Sequence, residues 1–188
     1  CIKCKNPNVK YKVGAVLMQI IIHECKKLKI RKITLEDNSK KSFTGSSIEL
    51  MYYRTMTQGT PYYSKFGFKN ISQFLIRNNK NVWKNNPKIK KNELIKILDE
   101  KTAQHEKQLV VLFAKILDDY KNVIDVSKFL IDIFNKAEQL ENNITKKRNK
   151  GETIKNTNTY AKIVNLIIKD LYVICGYSLI PDNKFTLF

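Results

Sequence analysis

Apolar residues in the second half of the chain recur at the spacing of an α-helix, and this pattern constrains the fold more than any other feature. Four successive stripes with three- and four-residue spacing predict amphipathic helices whose apolar faces meet. We therefore expect residues 88–188 to form a small helical bundle. The stripes consist of Leu94, Ile95 and Leu98; Leu109, Phe113, Ile116, Leu117 and Tyr120; Phe129, Leu130, Ile133, Phe134, Ala137 and Leu140; and Ile163, Val164, Ile167, Leu171 and Ile174.

Polar residues and helix breakers indicate where these helices begin and end. Either Asp125 or Ser127 can cap the third helix at its N-terminus, and Gly176 stops the last one. The polar, basic stretch 145–159 has no apolar period, so it predicts a linker. An Asn/Pro-rich hinge at 85–87 separates this bundle from the first 84 residues. Beyond that hinge the sequence predicts helices only.

The first part of the chain has a mixed pattern. Apolar residues from Val13 onwards follow helical spacing, whereas 30–35 alternates and is rich in β-branched residues, which predicts a strand. We expect a loop at 40–47 and a second strand at 48–56. Pro61 and Gly67 bracket a short helix at Tyr62–Phe66. The fold class that follows is α+β: a partial α/β segment at 1–84, then an all-α bundle at 88–188.

The net charge of the chain is +18, and most of it lies in the first part. Residues 1–84 contain 17 Lys and Arg against 4 Asp and Glu, whereas 85–188 contain 18 against 13. Such an excess favours polyanionic partners, including nucleic acid and phosphate-bearing cofactors. Abundant Lys and Asn are also typical of an AT-rich genome, and a solvated Lys-rich surface is the alternative interpretation.

Neither a membrane segment nor a metal site is expected. No apolar run approaches the roughly 20 residues that span a bilayer, and the N-terminal region lacks the apolar core of a signal peptide. We therefore expect an intracellular protein, cytoplasmic or nuclear. Cys1, Cys4, His23 and Cys25 are the candidate zinc ligands. His23 and Cys25 are two positions apart on a predicted helix and point to different faces, which argues against zinc.

Three runs of the first part share an order with a known enzyme family. A basic loop and helix are followed by a strand and then by a short helix that ends in Tyr-x-x-x-Gly-Phe. These runs, KYKVGAVLMQ, KLKIRKITLEDNS and PYYSKFGFKN, resemble the C-terminal half of the GNAT family of N-acetyltransferases. In that family a glycine-rich loop binds the pyrophosphate of acetyl-CoA at a helix N-terminus, a geometry that favours anions.

The resemblance implies site residues for this chain. The backbone at Lys12, Val13, Gly14, Ala15 and Val16 would face the pyrophosphate of acetyl-CoA, with Lys12 where the loop's first glycine lies.

The remaining implied residues follow the loop. Tyr63, five residues before Phe68, would protonate the departing CoA thiolate, an acid role that a phenol can serve. Asn38, after the strand, resembles an asparagine often found near the cofactor. Glu36 and Asp37 are candidate bases, with turn or cap acids as the alternative.

Two other functions stay open at this point. The resemblance covers about residues 1–78, so activity would require the family's other half from an upstream segment or another chain. The chain could instead be a non-catalytic scaffold that binds a protein partner through the helical bundle and the Tyr- and Met-rich segment 51–56. A basic nucleic-acid-binding protein is the third candidate, and its affinity would fall steeply with salt.

Overall fold

The computed structural model describes residues 13–70, 73–152, 157–179 and 184–187. Its α-helices are α1 (Val13–Lys27), α2 (Leu50–Gln58), α3 (Gln73–Lys84), α4 (Lys91–Lys101), α5 (Gln108–Leu117), α6 (Val126–Asn149) and α7 (Thr159–Ile174). Its strands are β1 (Ile33–Glu36), β2 (Lys40–Phe43), β3 (Ser46–Glu49), β4 (Lys69–Asn70), β5 (Lys88–Lys90), β6 (Val123–Asp125) and β7 (Lys184–Leu187). Short 3₁₀ helices lie at Tyr62–Phe66 and Gln104–Glu106.

Helices and small antiparallel sheets share the described chain, and the α+β class is confirmed. The C-terminal strand β7 lies between β1 and β4 and pairs antiparallel with both. β2 and β3 form a hairpin, and β5 pairs with β6. The sheet that contains β1 and β4 is therefore completed by residues from the far end of the chain.

One buried apolar cluster fills the centre of the molecule. A larger share of the residues of α7 than of any neighbouring element belongs to this cluster, because the apolar positions of α7 face α4, α6 and the β2–β3 hairpin. Phe43 of β2 meets Phe134 of α6 edge to face at 5.8 Å, and Tyr53 of α2 stacks on Phe134 at 4.3 Å. The proposed division at 85–87 stays a prediction, although members of this cluster come from both sides of it.

Most helical predictions are confirmed. Helices α4 to α7 carry the four predicted stripes, with Tyr120 just beyond the end of α5. Asp125 is the N-cap of α6, since its carboxylate accepts a hydrogen bond from the Lys128 amide at 3.0 Å. The 3₁₀ helix Tyr62–Phe66 also matches, with Gly67 in the left-handed region at φ 85°.

The expected loop at 40–47 is wrong, because β2 and β3 form a hairpin there. Its two-residue turn places Gly45 at φ 76°, a conformation that glycine adopts without steric cost. Phe43 and Ile48 are both buried against the helices. Burial of two large apolar side chains outweighs the polar character of their neighbours.

The expected strand at 48–56 is also wrong from Leu50 onward, because α2 begins at that residue. Met51 and Met56 are buried at 2% and 0% exposure, and Thr55, four positions after Met51 and therefore on the same face of the helix, is also buried. Thr55 and Thr57, which favour strands, bond their hydroxyls to the carbonyls of the fourth preceding residue. Packing therefore overrides the local β propensity, and segment 51–56 contributes to the core rather than to an apolar surface.

Beyond the hinge the chain is not entirely helical. β5 and β6 pair antiparallel, with Ile89 opposite Ile124 and both buried at under 5% exposure. The predicted linker at 145–159 is wrong in its first part, because α6 continues to Asn149. Lys and Arg are good helix formers, and basic residues are favourable at a helix C-terminus, so no apolar stripe is needed there.

Candidate functional site

The 3₁₀ helix Tyr62–Phe66 holds Tyr63 against the three-stranded sheet. Pro61 precedes this helix with φ −60°, and Gly67 ends it by donating its N–H to the Ser64 carbonyl at 3.1 Å. The ring of Tyr63 lies 6.3 Å from Phe68 and 6.2 Å from Phe185 of β7. The Tyr63 ring therefore packs beside the rings of Phe68 and Phe185 and is half-buried.

Asp37, directly after β1, supplies the acidic neighbour of Tyr63. It is 2% exposed, and its Oδ1 accepts hydrogen bonds from the backbone and hydroxyl of Ser39. Its Oδ2 is buried and has no hydrogen-bond partner among the residues that the structure describes. A buried carboxylate oxygen of this kind is costly, and such exceptions are frequent at functional sites.

Burial and the negative charge of Asp37 together raise the pKa of Tyr63 above its usual value of 10.0. Removing the phenolic proton would create an anion in a partly desolvated place beside a carboxylate, so the neutral phenol is favoured. Tyr63, like an ordinary tyrosine, is protonated at neutral pH. A protonated phenol can donate its proton to a developing anion, so Tyr63 could act as an acid.

The predicted pyrophosphate-binding residues lie at the start of α1. Lys12 lies outside the described residues, and Val13 opens the helix. Gly14, Ala15 and Val16 complete its first turn, where backbone N–H groups lack the carbonyl partners available further along a helix.

Asn38 is exposed and follows β1, next to the buried Asp37. The negative charge of Asp37 acts on Tyr63, a relationship that the sequence did not predict. The sequence signal for it was the position of Asp37 directly after β1, next to the candidate residue Asn38.

An open pocket of about 300 Å³ lies between α1 and the 3₁₀ helix. Gln19, Ile22, His23 and Lys26 of α1 line one side of it, further along the helix than residues 13–16. Lys65 and Phe66 line the other side. Lys65 also lies 3.7 Å from the centre of the Tyr62 ring, within cation–π range. The pocket is therefore basic on both walls, although Tyr63 is not among its lining residues.

The structure gathers no candidate metal site among residues 13–70, 73–152, 157–179 and 184–187, where no three His, Cys, Asp or Glu side chains come together. Cys1 and Cys4 are outside those ranges. None of the described helices combines the length and apolarity needed to cross a bilayer. The chain matches no protein-family model, no curated protein and no solved structure.

Proposed function

We propose that this chain is part of a GNAT-like N-acetyltransferase module that uses acetyl-CoA and in which Tyr63 is the acid. One observation carries the proposal: the phenol of the Tyr-x-x-x-Gly-Phe motif lies beside the rings of Phe68 and Phe185 and near Asp37, at the end of β1. The sequence order of α1, β1 and the 3₁₀ helix supports it.

The reaction would proceed by direct attack. The lone pair of an acceptor amine attacks the acetyl carbonyl carbon, the carbon–sulfur bond breaks, and the thiolate takes the phenolic proton of Tyr63. The amine loses its extra proton to a base from the rest of the domain, and Tyr63 regains a proton from solvent. A phenol is protonated at neutral pH and can therefore donate its proton to the thiolate as it forms.

The test combines acetyl-CoA binding with turnover in Tyr63→Phe, and Tyr62→Phe is the matched control. Tyr62 is the adjacent phenol on the same 3₁₀ helix, but its ring packs under Arg54 and Lys65. We expect calorimetry to give an affinity for acetyl-CoA that Tyr63→Phe changes by less than about twofold. Acetyl transfer should fall by about 10²- to 10⁴-fold in Tyr63→Phe and stay near wild type in Tyr62→Phe.

Absence of acetyl-CoA binding by the folded chain, together with its upstream segment where one exists, would overturn the proposal. Equal losses of turnover in the two variants would remove Tyr63 from the acid role. Both variants keep the aromatic ring, so far-ultraviolet circular dichroism should be unchanged in each. That measurement separates a chemical effect from a folding defect.

A second candidate function, a non-catalytic assembly component, is favoured by the outer face of α1. Several of its large apolar side chains and those just after it are exposed, and basic residues surround them. A protein partner with an apolar patch and an acidic rim fits that surface. The exposed apolar residues are Val16 (45%), Ile20 (52%), Ile21 (42%), Leu28 (72%) and Ile30 (47%).

Light scattering after size exclusion, with any protein that co-purifies with the chain present, distinguishes this candidate. Ile20→Ser with Ile21→Ser should abolish association, whereas Val111→Ser with Val173→Ser should not. Val111 and Val173 are similarly exposed at 58% and 52% but lie on α5 and α7. Identical association in both double variants would exclude α1 as the contact surface.

A further inference from the structure

A second pocket lies on the other side of the Gly67 turn, between β4 and α3. Its volume is about 320 Å³, at the lower end of the range for small-molecule sites. Neither residues 13–16 nor Tyr63 line it, so it is separate from the site proposed above. The lining residues are Ser64, Gly67, Phe68, Lys69, Ile76, Arg77 and Lys80.

Three cations surround this pocket without a counter-charge. Lys69, Arg77 and Lys80 all line it, and the lining contains no Asp or Glu. Elsewhere lysines pair with acids, for example Lys101 with Asp170 at 2.9 Å. No ion pair involving the three pocket cations occurs within the described ranges. Their mutual repulsion would be relieved by a bound anion.

The uncharged part of the pocket lining is mainly apolar. Phe68, which is 2% exposed, and Ile76 supply the apolar lining. The Ser64 hydroxyl oxygen is buried and has no hydrogen-bond partner in the part of the chain that the structure describes. A buried hydroxyl without a partner is unfavourable.

Helix α3 is fixed in a way that presents its cations to the pocket. The Asn79 side chain is fully buried and donates to the Tyr172 hydroxyl at 2.7 Å and to the Ser178 carbonyl at 2.9 Å. Its Oδ1 accepts from the Ser178 amide. Arg77 and Lys80 are three positions apart and therefore lie on one face of α3. The charged face is thus held in place before any ligand arrives.

We propose that this pocket binds a small organic phosphate, with the phosphate at Arg77, Lys80 and Lys69 and an apolar body against Phe68 and Ile76. Phosphate suits the site better than a carboxylate does, because its charge of about −1.5 to −2 matches several cations. Arg77 can bind two of its oxygens at once. This inference goes beyond the acetyltransferase proposal and does not depend on it.

Phenyl phosphate is the probe, because it combines a dianion with a compact apolar ring. Titration into isotope-labelled full chain, followed by amide chemical shifts, should move the signals of Gly67, Phe68 and Lys69. Inorganic phosphate, which lacks the apolar body, should bind at least about tenfold more weakly, since a buried ring contributes more than about 1.4 kcal/mol. Phenol, which lacks the charge, should leave the same signals unmoved.

A matched pair of double variants tests the charges. Arg77→Gln with Lys80→Gln removes two charges that line the pocket, and Lys84→Gln with Lys88→Gln removes two exposed charges nearby. We expect the first pair to weaken phenyl phosphate binding about tenfold or more, and the second by less than about twofold. All four residues are exposed, so the folded signal pattern should persist in both variants.

Three results would overturn the proposal. Equal weakening by both double variants would mean that only net charge matters. Equal affinities for inorganic phosphate and phenyl phosphate would exclude the apolar wall from binding. A single-stranded oligonucleotide that shifts the same amides far more tightly than phenyl phosphate would assign the pocket to nucleic acid instead of a small molecule.

Discussion

Glu141 on α6 accepts two hydrogen bonds from Thr44, a residue of the β2–β3 turn that lies 97 positions earlier in the chain. Its Oε2 is 2.9 Å from the Thr44 amide nitrogen, and its Oε1 is 2.8 Å from the Thr44 hydroxyl. Asn158, the N-cap of α7, donates its side-chain amide to Glu141 and its backbone amide to the Thr44 carbonyl. Three distant segments therefore meet at one carboxylate.

Burial raises the pKa of Glu141, but the hydrogen bonds from Thr44 and Asn158 outweigh that effect and the net pKa is lower than its usual 4.5. A lowered pKa means that the stabilisation is present above pH 4.5 and is lost as the pH falls through the folded-state value. We expect Glu141→Gln to lower the free energy of unfolding by about 1–2 kcal/mol at neutral pH. Urea unfolding below pH 4.5 should show a smaller difference.

Glu138→Gln is the control for that experiment. Glu138 is on the same helix and pairs with Lys41 at 3.1 Å, but both side chains are more than 40% exposed. Exposed pairs of this kind contribute about 0–1 kcal/mol. A loss in Glu138→Gln as large as that in Glu141→Gln would contradict the assignment of the effect to the Thr44 hydrogen bonds.

Gly59 and Gly151 have nearly equal φ angles but different surroundings, so substituting each with alanine distinguishes backbone strain from steric overlap. Gly59 has φ 78° and Gly151 has φ 80°. A Cβ added at Gly59 would come within 2.5 Å of the Trp83 ring, whereas at Gly151 nothing in the described chain lies within 4 Å. We expect Gly151→Ala to cost about 1–2 kcal/mol from left-handed strain alone.

Gly59→Ala should cost more than Gly151→Ala, because the α2 end and the indole must move apart. Trp83 is the chain's one tryptophan, so its fluorescence reports directly on this contact. The emission should shift in Gly59→Ala and stay constant in Gly151→Ala. Equal stability losses without a spectral change would show that Trp83 does not constrain Gly59.

Tyr172 and Tyr177 stack on each other at 4.9 Å but differ in hydrogen bonding. The Tyr172 hydroxyl accepts from the Asn79 side chain at 2.7 Å, whereas the buried Tyr177 hydroxyl has no partner among the described residues. We expect Tyr172→Phe to cost about 1–2 kcal/mol and Tyr177→Phe to be neutral or stabilising. Guanidinium unfolding measures both; a larger loss in Tyr177→Phe would contradict the difference.

The same two tyrosines predict that the folded state loses stability at alkaline pH. Burial raises the pKa of both Tyr172 and Tyr177 above the usual 10.0. Because the folded state favours the neutral phenols, their contribution is complete below pH 10 and is lost as the pH rises towards the folded-state values. Tyrosinate absorbance should appear later in the folded chain than in the urea-unfolded chain. Coincident titration curves would contradict this expectation.

Separating the two sides of the 85–87 hinge should abolish stable folding. Ile48 and Met56 are fully buried in a cluster that also contains Phe134 and Leu171. A peptide of residues 1–86 would expose these side chains and leave Thr44 without Glu141. We expect no cooperative unfolding transition for it alone, and recovery of helical circular dichroism when it is mixed with 88–188. A cooperative transition for the isolated peptide would support two independent domains.

The sequence by itself determined the elements whose signals are local. Helix α6 has a three-turn apolar stripe with Asp125 or Ser127 before it as candidate caps, and the 3₁₀ helix lies between Pro61 and Gly67; both patterns depend on neighbouring residues only. The same short motif predicts Tyr63 as a site residue, and that role stays a prediction. These features require no knowledge of what packs against them.

Only the tertiary structure decided the elements that depend on distant partners. Segment 50–58 has strand-like composition, but it becomes α2, whose Met56 belongs to the core cluster shared with α6 and α7 and whose Met51 is also buried. β7 joins β1 to β4 across more than half of the chain, and Asp37 approaches Tyr63 through that sheet. The free energy of such contacts arises from burial between segments that are far apart in sequence, and no local pattern encodes it.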